Sequence, residues 1–303
     1  MLRRTLVVLA LFAGTTQLSA QTLASAWMVP AAAHTGGLYG TFWRTDVSIH
    51  NPHAYDLPVV VQILESHHAN WSVPTLDLVL YPWETYNLWD ALGPDLFDLS
   101  GTGAILVYVE PSFYDQMDAD GEGHFLVTSR TYTPDPLSEG EFGQTVPGRR
   151  IDDGMDWWTF GYAAGILNDG AAFRCNIGVA SWTAAETVVQ VDVQDAAGEI
   201  LATEILTLPA FSHVQRRLST PVSGGSLVFY LVDGPEDALV FPYASIADRS
   251  TSDPSFQPAT PSAVGVDWQR KARPEAAPPA RREPPRPARD GRDLESPPRR
   301  PRS

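Results

Sequence analysis

The chain has 303 residues, of which 44% are hydrophobic and 10% aromatic, and it contains a single cysteine. This composition permits sizeable cores, and it excludes both a wholly disordered chain and a scaffold held by internal disulfides. Residues 21–269 carry eight arginines, no lysine and 31 acidic residues, and the resulting formal charge of −23 disfavours nucleic acid as a partner of the body of the protein.

Residues 1–20 have the pattern of a signal peptide. Two arginines precede an apolar run, Leu6–Ala13, and the small residue Ala20 closes the segment. The run is shorter than the roughly 18 apolar residues that a transmembrane helix needs, and no later stretch of the sequence reaches that length. We therefore expect an exported protein without a transmembrane segment, located in the periplasm, outside the cell or at the cell surface.

Two segments of the chain are similar at a constant spacing. Residues 44–65 align without a gap with residues 174–195, and four of the 22 aligned positions are identical, among them Arg44 with Arg174. In both segments apolar and polar residues alternate with a period of two, which is typical of half-buried antiparallel strands. The spacing indicates an internal repeat whose units are built from strands.

A second pair of runs extends the similarity. GAILVYV at 103–109 aligns with GSLVFYL at 225–231, so the simplest account is two copies of one unit, at 25–150 and 156–262. Six or seven short strands per copy predict an all-β fold of two tandem immunoglobulin-like β-sandwich repeats. The pattern leaves open whether the copies form separate sandwiches or share one sheet system.

The composition changes at about residue 269. The last 34 residues include ten arginines and nine prolines, and Leu294 is their only large aliphatic residue. A segment with so little to bury is expected to be disordered, so residues 269–303 form a predicted Pro/Arg-rich tail. The tail is either solvated, or a basic arm that contacts anionic cell-envelope polymers or the acidic body.

Three strings carry a resemblance to a known family: HTGGLYGTFWRTDVSIHNP at 34–52, FRCNIGVAS at 173–181 and YASIADRSTSDPSFQPA at 243–259. They resemble uncharacterised paired β-sandwich repeats found in exported multi-domain bacterial proteins. The resemblance covers about residues 27–260 and implies the tandem organisation and the exported setting, but no catalytic residues and no ligand. The sequence departs from the family pattern at Cys175, where a threonine is expected.

One loop suits a structural calcium ion. Asp118, Asp120 and Glu122 stand at alternate positions, and oxygen ligands on a short turn are what Ca²⁺ requires. The loop lacks the calcium-binding pattern of an EF-hand, and acidic hairpin tips are ordinary in so acidic a chain, so a solvated tip is the alternative. The sequence implies no other cofactor.

The clustered histidines and the cysteine have simpler explanations than a reactive site. His50, His53, His67 and His68 lie close enough in sequence for a structural metal site, but no metalloprotease spacing occurs, which favours surface histidines. Cys175 falls on the predicted inward face of its strand, so we expect a buried and unreactive side chain.

Nine tryptophans are many for a chain of this length. Trp71 lies in a loop with few apolar neighbours, and an exposed indole can stack on sugars, which makes Trp71 the candidate ligand-binding residue. Asn70-Trp71-Ser72 is also a glycosylation sequon. Packing is the alternative for Trp71, and it is the expectation for the tryptophans in or beside apolar runs, which are Trp27, Trp43, Trp83, Trp89 and Trp182.

Catalytic motifs are missing from the sequence. There is no phosphate-binding loop, nucleophile elbow, C-x-x-C pair or dinucleotide fingerprint, so we do not expect an enzyme. The predicted function is that of a non-catalytic exported interaction or adhesion-type module, which binds an envelope polymer, a glycan or a protein through loops 64–75 and 110–124. The alternatives are a carbohydrate-binding module that uses Trp71, and a structural spacer.

Overall fold

The structure is a computed structural model that describes residues 23–114, 123–135, 138–263 and 288–294. The helical segments within these ranges are single turns, at Leu38–Gly40, Pro111–Tyr114 and Ile151–Asp153. The strands are, in chain order, β1 (Ala26–Gly36), β2 (Phe42–His50), β3 (Leu57–Glu65), β4 (Ser72–Leu80), β5 (Thr85–Leu88), β6 (Gly101–Val109), β7 (Leu126–Pro134), β8 (Glu141–Pro147), β9 (Arg149–Arg150), β10 (Phe160–Asn168), β11 (Phe173–Ser181), β12 (Thr187–Gln194), β13 (Ile200–Leu208), β14 (His213–Arg217), β15 (Val222–Asp233), β16 (Val240–Asp248), β17 (Pro254–Pro258), β18 (Thr260–Ser262) and β19 (Ala288–Leu294).

Strands β1–β9, which we call the first half, form two antiparallel layers joined along β1. One layer has the order β4-β3-β6-β1-β9 and the other the order β5-β2-β7-β8. β1 belongs to both layers, because Ala26–His34 pairs with β6 while its last residues, His34–Gly36, pair with β2. A long strand that changes partner in this way lets one continuous sheet fold over its own core.

Strands β10–β18, the second half, repeat this arrangement strand for strand. Their two sheets have the orders β13-β12-β15-β10-β18 and β14-β11-β16-β17, so each strand is the ninth after its counterpart. Corresponding turns also match: Trp83 N–H donates to His53 O at 3.1 Å, and Phe211 N–H donates to Thr183 O at 2.8 Å. The φ of Trp83 is 60° and that of Phe211 is 47°, both in the left-handed region that few non-glycine residues adopt.

Each half has its own core between its two layers. The period-two alternation of the sequence places one side of every long strand in these cores. In the first half Val59 and Val61 of β3 pack in one cluster with Val47 of β2, and in the second half Val189 of β12 packs with Ile177 of β11. Full burial of each such side chain contributes about 1.5–3 kcal/mol of hydrophobic free energy.

A third apolar cluster, which we call the joint, connects the two halves. Phe211, in the β13–β14 turn, is fully buried there, and its ring centroid lies 5.3 Å from that of Trp182. Because aromatic rings of one half are buried against aliphatic side chains of the other, the joint holds the halves in one orientation. The outer face of the first-half layer supplies Met28, Val60, Leu64, Ala104, Leu106 and Tyr108, and the end of the second half supplies Ala180, Trp182, Ala210, Phe211 and Phe241.

One strand comes from the segment that the sequence predicts to be disordered. β19 pairs in parallel with β4 at the edge of the first half, with Ala288 opposite Ser72 and Leu294 opposite Leu76. An edge strand offers unpaired backbone N–H and C=O groups, so pairing with it needs few apolar side chains from the added strand. The corresponding edge strand of the second half, β13, pairs only with β12 among the described strands.

The prediction of an all-β fold with antiparallel sheets is confirmed. Each half contains nine strands where six or seven were predicted, because β5, β9, β14 and β18, of two to five residues, are too short to show a period. No sheet among the described strands contains strands of both halves, so the halves have separate sheets and meet at the joint.

Truncation of Phe211 should destabilise the whole chain. Phe211→Ala leaves a cavity in the joint, and we expect a loss of about 3–5 kcal/mol in the free energy of unfolding, measured by urea denaturation followed by tryptophan fluorescence. Phe42→Ala is the matched control, because the side chain of Phe42 is already partly exposed and should cost much less. Equal losses in the two variants would show that the joint does not contribute.

Candidate functional site

Trp71 lies at the margin of the joint. Its side chain is 50% exposed, and its ring meets that of Phe211 edge-on with centroids 5.3 Å apart. The neighbouring Asn70 is buried, and its Nδ2 donates to Phe211 O at 2.8 Å and to Glu65 O at 3.0 Å. The loop of residues 66–71, within the segment predicted to bind a ligand, therefore fastens the halves together. The amide nitrogen of the sequon asparagine is occupied in this fold.

A chain of polar side chains crosses the joint beside this loop. His213 Nδ1 lies 2.5 Å from Ser66 Oγ, and His213 Nε2 lies 2.7 Å from Tyr243 Oη. Tyr243 donates its hydroxyl proton to Gln215 Oε1 at 2.7 Å. Both imidazole nitrogens of His213 thus have a hydroxyl partner, as a neutral imidazole requires, since one ring nitrogen donates a hydrogen bond and the other accepts one.

The surroundings of His213 keep its imidazole neutral. The residue is fully buried, and desolvation, together with nearby His67, lowers its pKa from 6.5 to about 3. A serine and a histidine at this distance are also the arrangement of a nucleophile and its base, but catalysis requires access to a substrate. Ser66 is buried between the halves and the second imidazole nitrogen bonds a tyrosine, so the pair stabilises the joint.

A cleft of about 390 Å³ also lies between the halves. Gln144 of the first half reaches across it, with Nε2 3.3 Å from Ser245 Oγ of the second. Trp43 adds an aromatic ring to the lining, and none of the described lining residues is acidic. Amide and hydroxyl groups beside an indole suit a ligand rich in hydroxyl groups. The polar side chains that line the cleft are Thr35, Thr102, Thr131, Gln144, Arg174, Asn176, Gln215 and Ser245.

One end of the first half, at the β4–β5 turn, is rich in exposed aromatic side chains. Trp83 is 65% exposed, and Tyr81 in the same turn is also exposed. The β2–β3 loop is bound to this turn, since Trp83 N–H donates to His53 O. The ring of His53 in turn stacks on the exposed Tyr55 at a centroid distance of 4.6 Å. We call Tyr55, Tyr81 and Trp83 the aromatic tip.

The expectation that Trp83 and Trp89 are packed is wrong, since both are exposed, whereas Trp27 and Trp182 are buried as expected. The exposure of Trp83 can be inferred from the sequence. The residue follows Pro82 in a short turn between two strand patterns, where no sheet face covers a side chain.

Among the described residues, no three His, Cys, Asp or Glu side chains come together as a metal ion would require. His50 and His53 each form a hydrogen bond to a neighbouring segment, so these two histidines are already engaged. Asp118, Asp120 and Glu122 lie outside the residues that the structure describes, and the calcium site remains a prediction.

Cys175 lies in the second core and is fully buried, as the alternation predicts. Burial raises the pKa of its thiol from 9.0 to about 12. Because the thiolate is the reactive form and is not populated at neutral pH, Cys175 packs as a small apolar side chain.

No protein-family model and no curated protein matches this chain. The helical segments in the described part of the chain are single turns, and none is long and apolar enough to cross a membrane. The joint, the cleft and the aromatic tip are thus the features from which a function can be inferred.

Stability should depend on pH through His213. The unfolded chain gains a proton on this imidazole below about pH 6.5, and the folded protein does so only near pH 3. The free energy of unfolding should therefore fall as the pH is lowered through this window, by up to about 1.4 kcal/mol per pH unit from this group. Urea denaturation of the wild type and of His213→Gln at a series of pH values measures the difference.

The His213→Gln variant should lack this contribution to the slope of the free energy of unfolding against pH, because glutamine does not titrate. The control is His68→Gln, which replaces an exposed histidine by the same residue. A His213→Gln slope equal to that of the wild type would show that the histidine is not held neutral.

Proposed function

We propose that this chain is an exported, non-catalytic interaction module built from two copies of one immunoglobulin-like β-sandwich unit, at residues 25–150 and 156–262. Support for two copies comes from the strand order that recurs nine strands later, and from the matched left-handed turns at Trp83 and Phe211. Export is supported by the signal-peptide pattern of residues 1–20.

The observation that carries the proposal is the exposure of Trp83. The equivalent turn of the second half buries Phe211 in the joint, whereas in the first half Trp83 projects into solvent. Leaving a large side chain exposed forgoes about 1.5–3 kcal/mol of hydrophobic free energy. A turn that is so poorly optimised for folding is typical of a contact surface.

The mechanism is presentation of a rigid surface. The joint fixes the two halves against each other, and the aromatic tip is held on a short turn between paired strands. Tryptophan and tyrosine offer a large contact area with few rotatable bonds, so they lose little entropy on binding. The partner classes that fit are an envelope polymer, a glycan or a protein.

Binding should depend on Trp83. The full chain is mixed with bacterial cell envelopes and sedimented, and we expect it to pellet at both low and high salt. Trp83→Ala should weaken binding by about 30-fold or more, because removal of a central aromatic anchor typically costs about 2 kcal/mol. Trp89→Ala is the matched control, since it removes another exposed indole outside the tip.

The outcomes of this experiment separate the alternatives. Equal pelleting of Trp83→Ala and the wild type would contradict a role for the tip. Pelleting that salt abolishes would assign binding to the basic tail, because exposed charges are screened. If neither the wild type nor any variant pellets with the envelopes, a structural spacer is favoured.

A carbohydrate-binding module is the second candidate, and the lining of the cleft favours it. Arg174 and the amides of Gln144 and Asn176 are suited to sugar hydroxyl groups, with Trp43 as a stacking surface. Trp71 is the alternative stacking residue that the sequence predicted.

Retention on an insoluble polysaccharide, such as peptidoglycan, distinguishes these two glycan sites. If the cleft binds, Arg174→Gln should weaken retention by about tenfold or more, because a hydrogen bond to a charged group contributes about 1.5–3 kcal/mol. Trp71→Ala and the control Arg130→Gln should then behave as the wild type. Weaker retention of Trp71→Ala with unchanged retention of Arg174→Gln would assign the site to Trp71. If the wild type is not retained, the polysaccharide tested is excluded as a ligand.

A further inference from the structure

The joint inside this chain is a contact between two kinds of surface, an end and a sheet face. The second half contributes the end, with Phe211 on its β13–β14 turn, and the first half contributes the outer face of its layer β4-β3-β6-β1-β9. The first half has an equivalent end, and the second half has an equivalent face. Neither of these two is used in the joint.

The two ends are built in the same way. Asn51 N–H donates to Glu84 O at 2.9 Å in the first half, and Ser181 N–H donates to Ser212 O at 2.7 Å in the second. Each bond ties the end of the second strand of a half to the turn before the fifth strand. The aromatic tip is therefore the counterpart, in the first half, of the end that docks through Phe211.

The two sheet faces also correspond in register. On the face used in the joint, Met28 of β1 lies opposite Leu106 of β6, and in the second half Tyr162 of β10 lies opposite Val228 of β15. Tyr162 and Val228 belong to an apolar cluster on the outer side of the second half, which also contains Phe160, Tyr230 and Val232. This outer side is thus the counterpart of the face that receives Phe211.

The apolar area of this second face extends onto its edge strand. Thr203 of β13 donates to Asp192 Oδ1 at 2.8 Å, and Tyr230 donates to Asp192 Oδ2 at 3.0 Å, so Thr203 and Tyr230 share one side of the sheet. Since side chains alternate along a strand, Ile205 lies on the same side as Thr203. A register shift at the start of β13 places Ile200 opposite Gln194, so Ile200 lies on this side as well. Both isoleucines are exposed, and the carboxylate of Asp192 is already paired by hydroxyl groups. We call the exposed apolar side chains on this side of β13, together with Tyr162, the β13 face.

The β13 face differs from the face in the joint by the position of its apolar groups. By the aligned spacing, Gln190 stands where the first half has Val60, and Ile205 lies opposite Gln190 on β13. A contact on the β13 face would bury tyrosine side chains and aliphatic side chains of the edge strand, and fewer apolar side chains at the centre of the sheet. We therefore expect such a contact to be weaker than the joint and reversible.

We propose that this chain associates with a second copy of itself head to tail, with the aromatic tip of one molecule docked on the β13 face of the next. The proposal rests on the two-copy organisation given above. The exposed large apolar side chains include Tyr55, Tyr81 and Trp83 at the tip, and Ile200 and Ile205 on β13. Because the two contacting surfaces differ, each dimer keeps one free tip and one free face, and growth continues into linear chains or rings.

Sedimentation velocity with two substitutions tests the arrangement. The wild-type chain should sediment faster as its concentration is raised, and species larger than a dimer should form. Trp83→Arg removes the tip and Ile205→Arg removes the face, so each variant alone should stay monomeric. Both side chains are exposed, which makes folding of the variants the expectation, to be checked by far-ultraviolet circular dichroism and melting.

Mixing the two variants is the decisive measurement. Trp83→Arg retains an intact face and Ile205→Arg an intact tip, so the mixture should form one-to-one dimers that do not grow. Trp89→Arg, a charge-matched change of an exposed tryptophan outside the tip, should assemble as the wild type does.

Three results would overturn the proposal. The first is a wild type that stays monomeric at all concentrations, and the second is assembly that neither substitution weakens. The third is dimerisation of Ile205→Arg alone, because that result would place tip against tip. The envelope experiment repeated with Ile205→Arg, whose tip is intact, reports on the proposed interaction function separately from self-association.

Discussion

Phe211 and Trp182 are buried against the outer sheet face of the first half, and the geometry of the rest of the molecule depends on this contact. It places His213 beside Ser66, and it holds Asn70 over the carbonyl group of Phe211. The cleft exists only because the halves are held at this angle, since both contribute side chains to its lining. Two sandwiches on a flexible linker would have neither the buried polar chain nor the cleft.

The joint also carries a polar group that it does not satisfy. Gln62 stands on β3 between Val60 and Leu64, both members of the joint cluster, and its side chain is fully buried. Neither Oε1 nor Nε2 of Gln62 has a hydrogen-bond partner among the described residues. A buried unsatisfied amide costs about 1–3 kcal/mol, so the apolar contacts around it must exceed that cost. The equivalent Asp192 of the second half is fully paired and adds no such cost to its sheet.

Local patterns in the sequence were sufficient for the strands and cores, and insufficient for the contacts between the halves. The alternation around Val47 and Val189 predicts which side chains are buried, and the burial of Cys175 follows from the same period. Ser66 and His213 are 147 residues apart, and no periodicity encodes their meeting. For the same reason, the sequence pattern predicts that the loop of residues 66–71 is free to bind a ligand. Its polar residues are used in a contact that depends on the orientation of the two halves.

The left-handed turn at Trp83 has a consequence for the kinetics of recognition. Two backbone hydrogen bonds hold this turn against the β2–β3 loop, since Asn51 N–H donates to Glu84 O and Trp83 N–H donates to His53 O. In the proposed interaction, a partner would meet a turn whose backbone is already ordered and would pay little free energy to order it, which is the benefit of preorganisation. Encounter and mutual orientation would then set the rate of association.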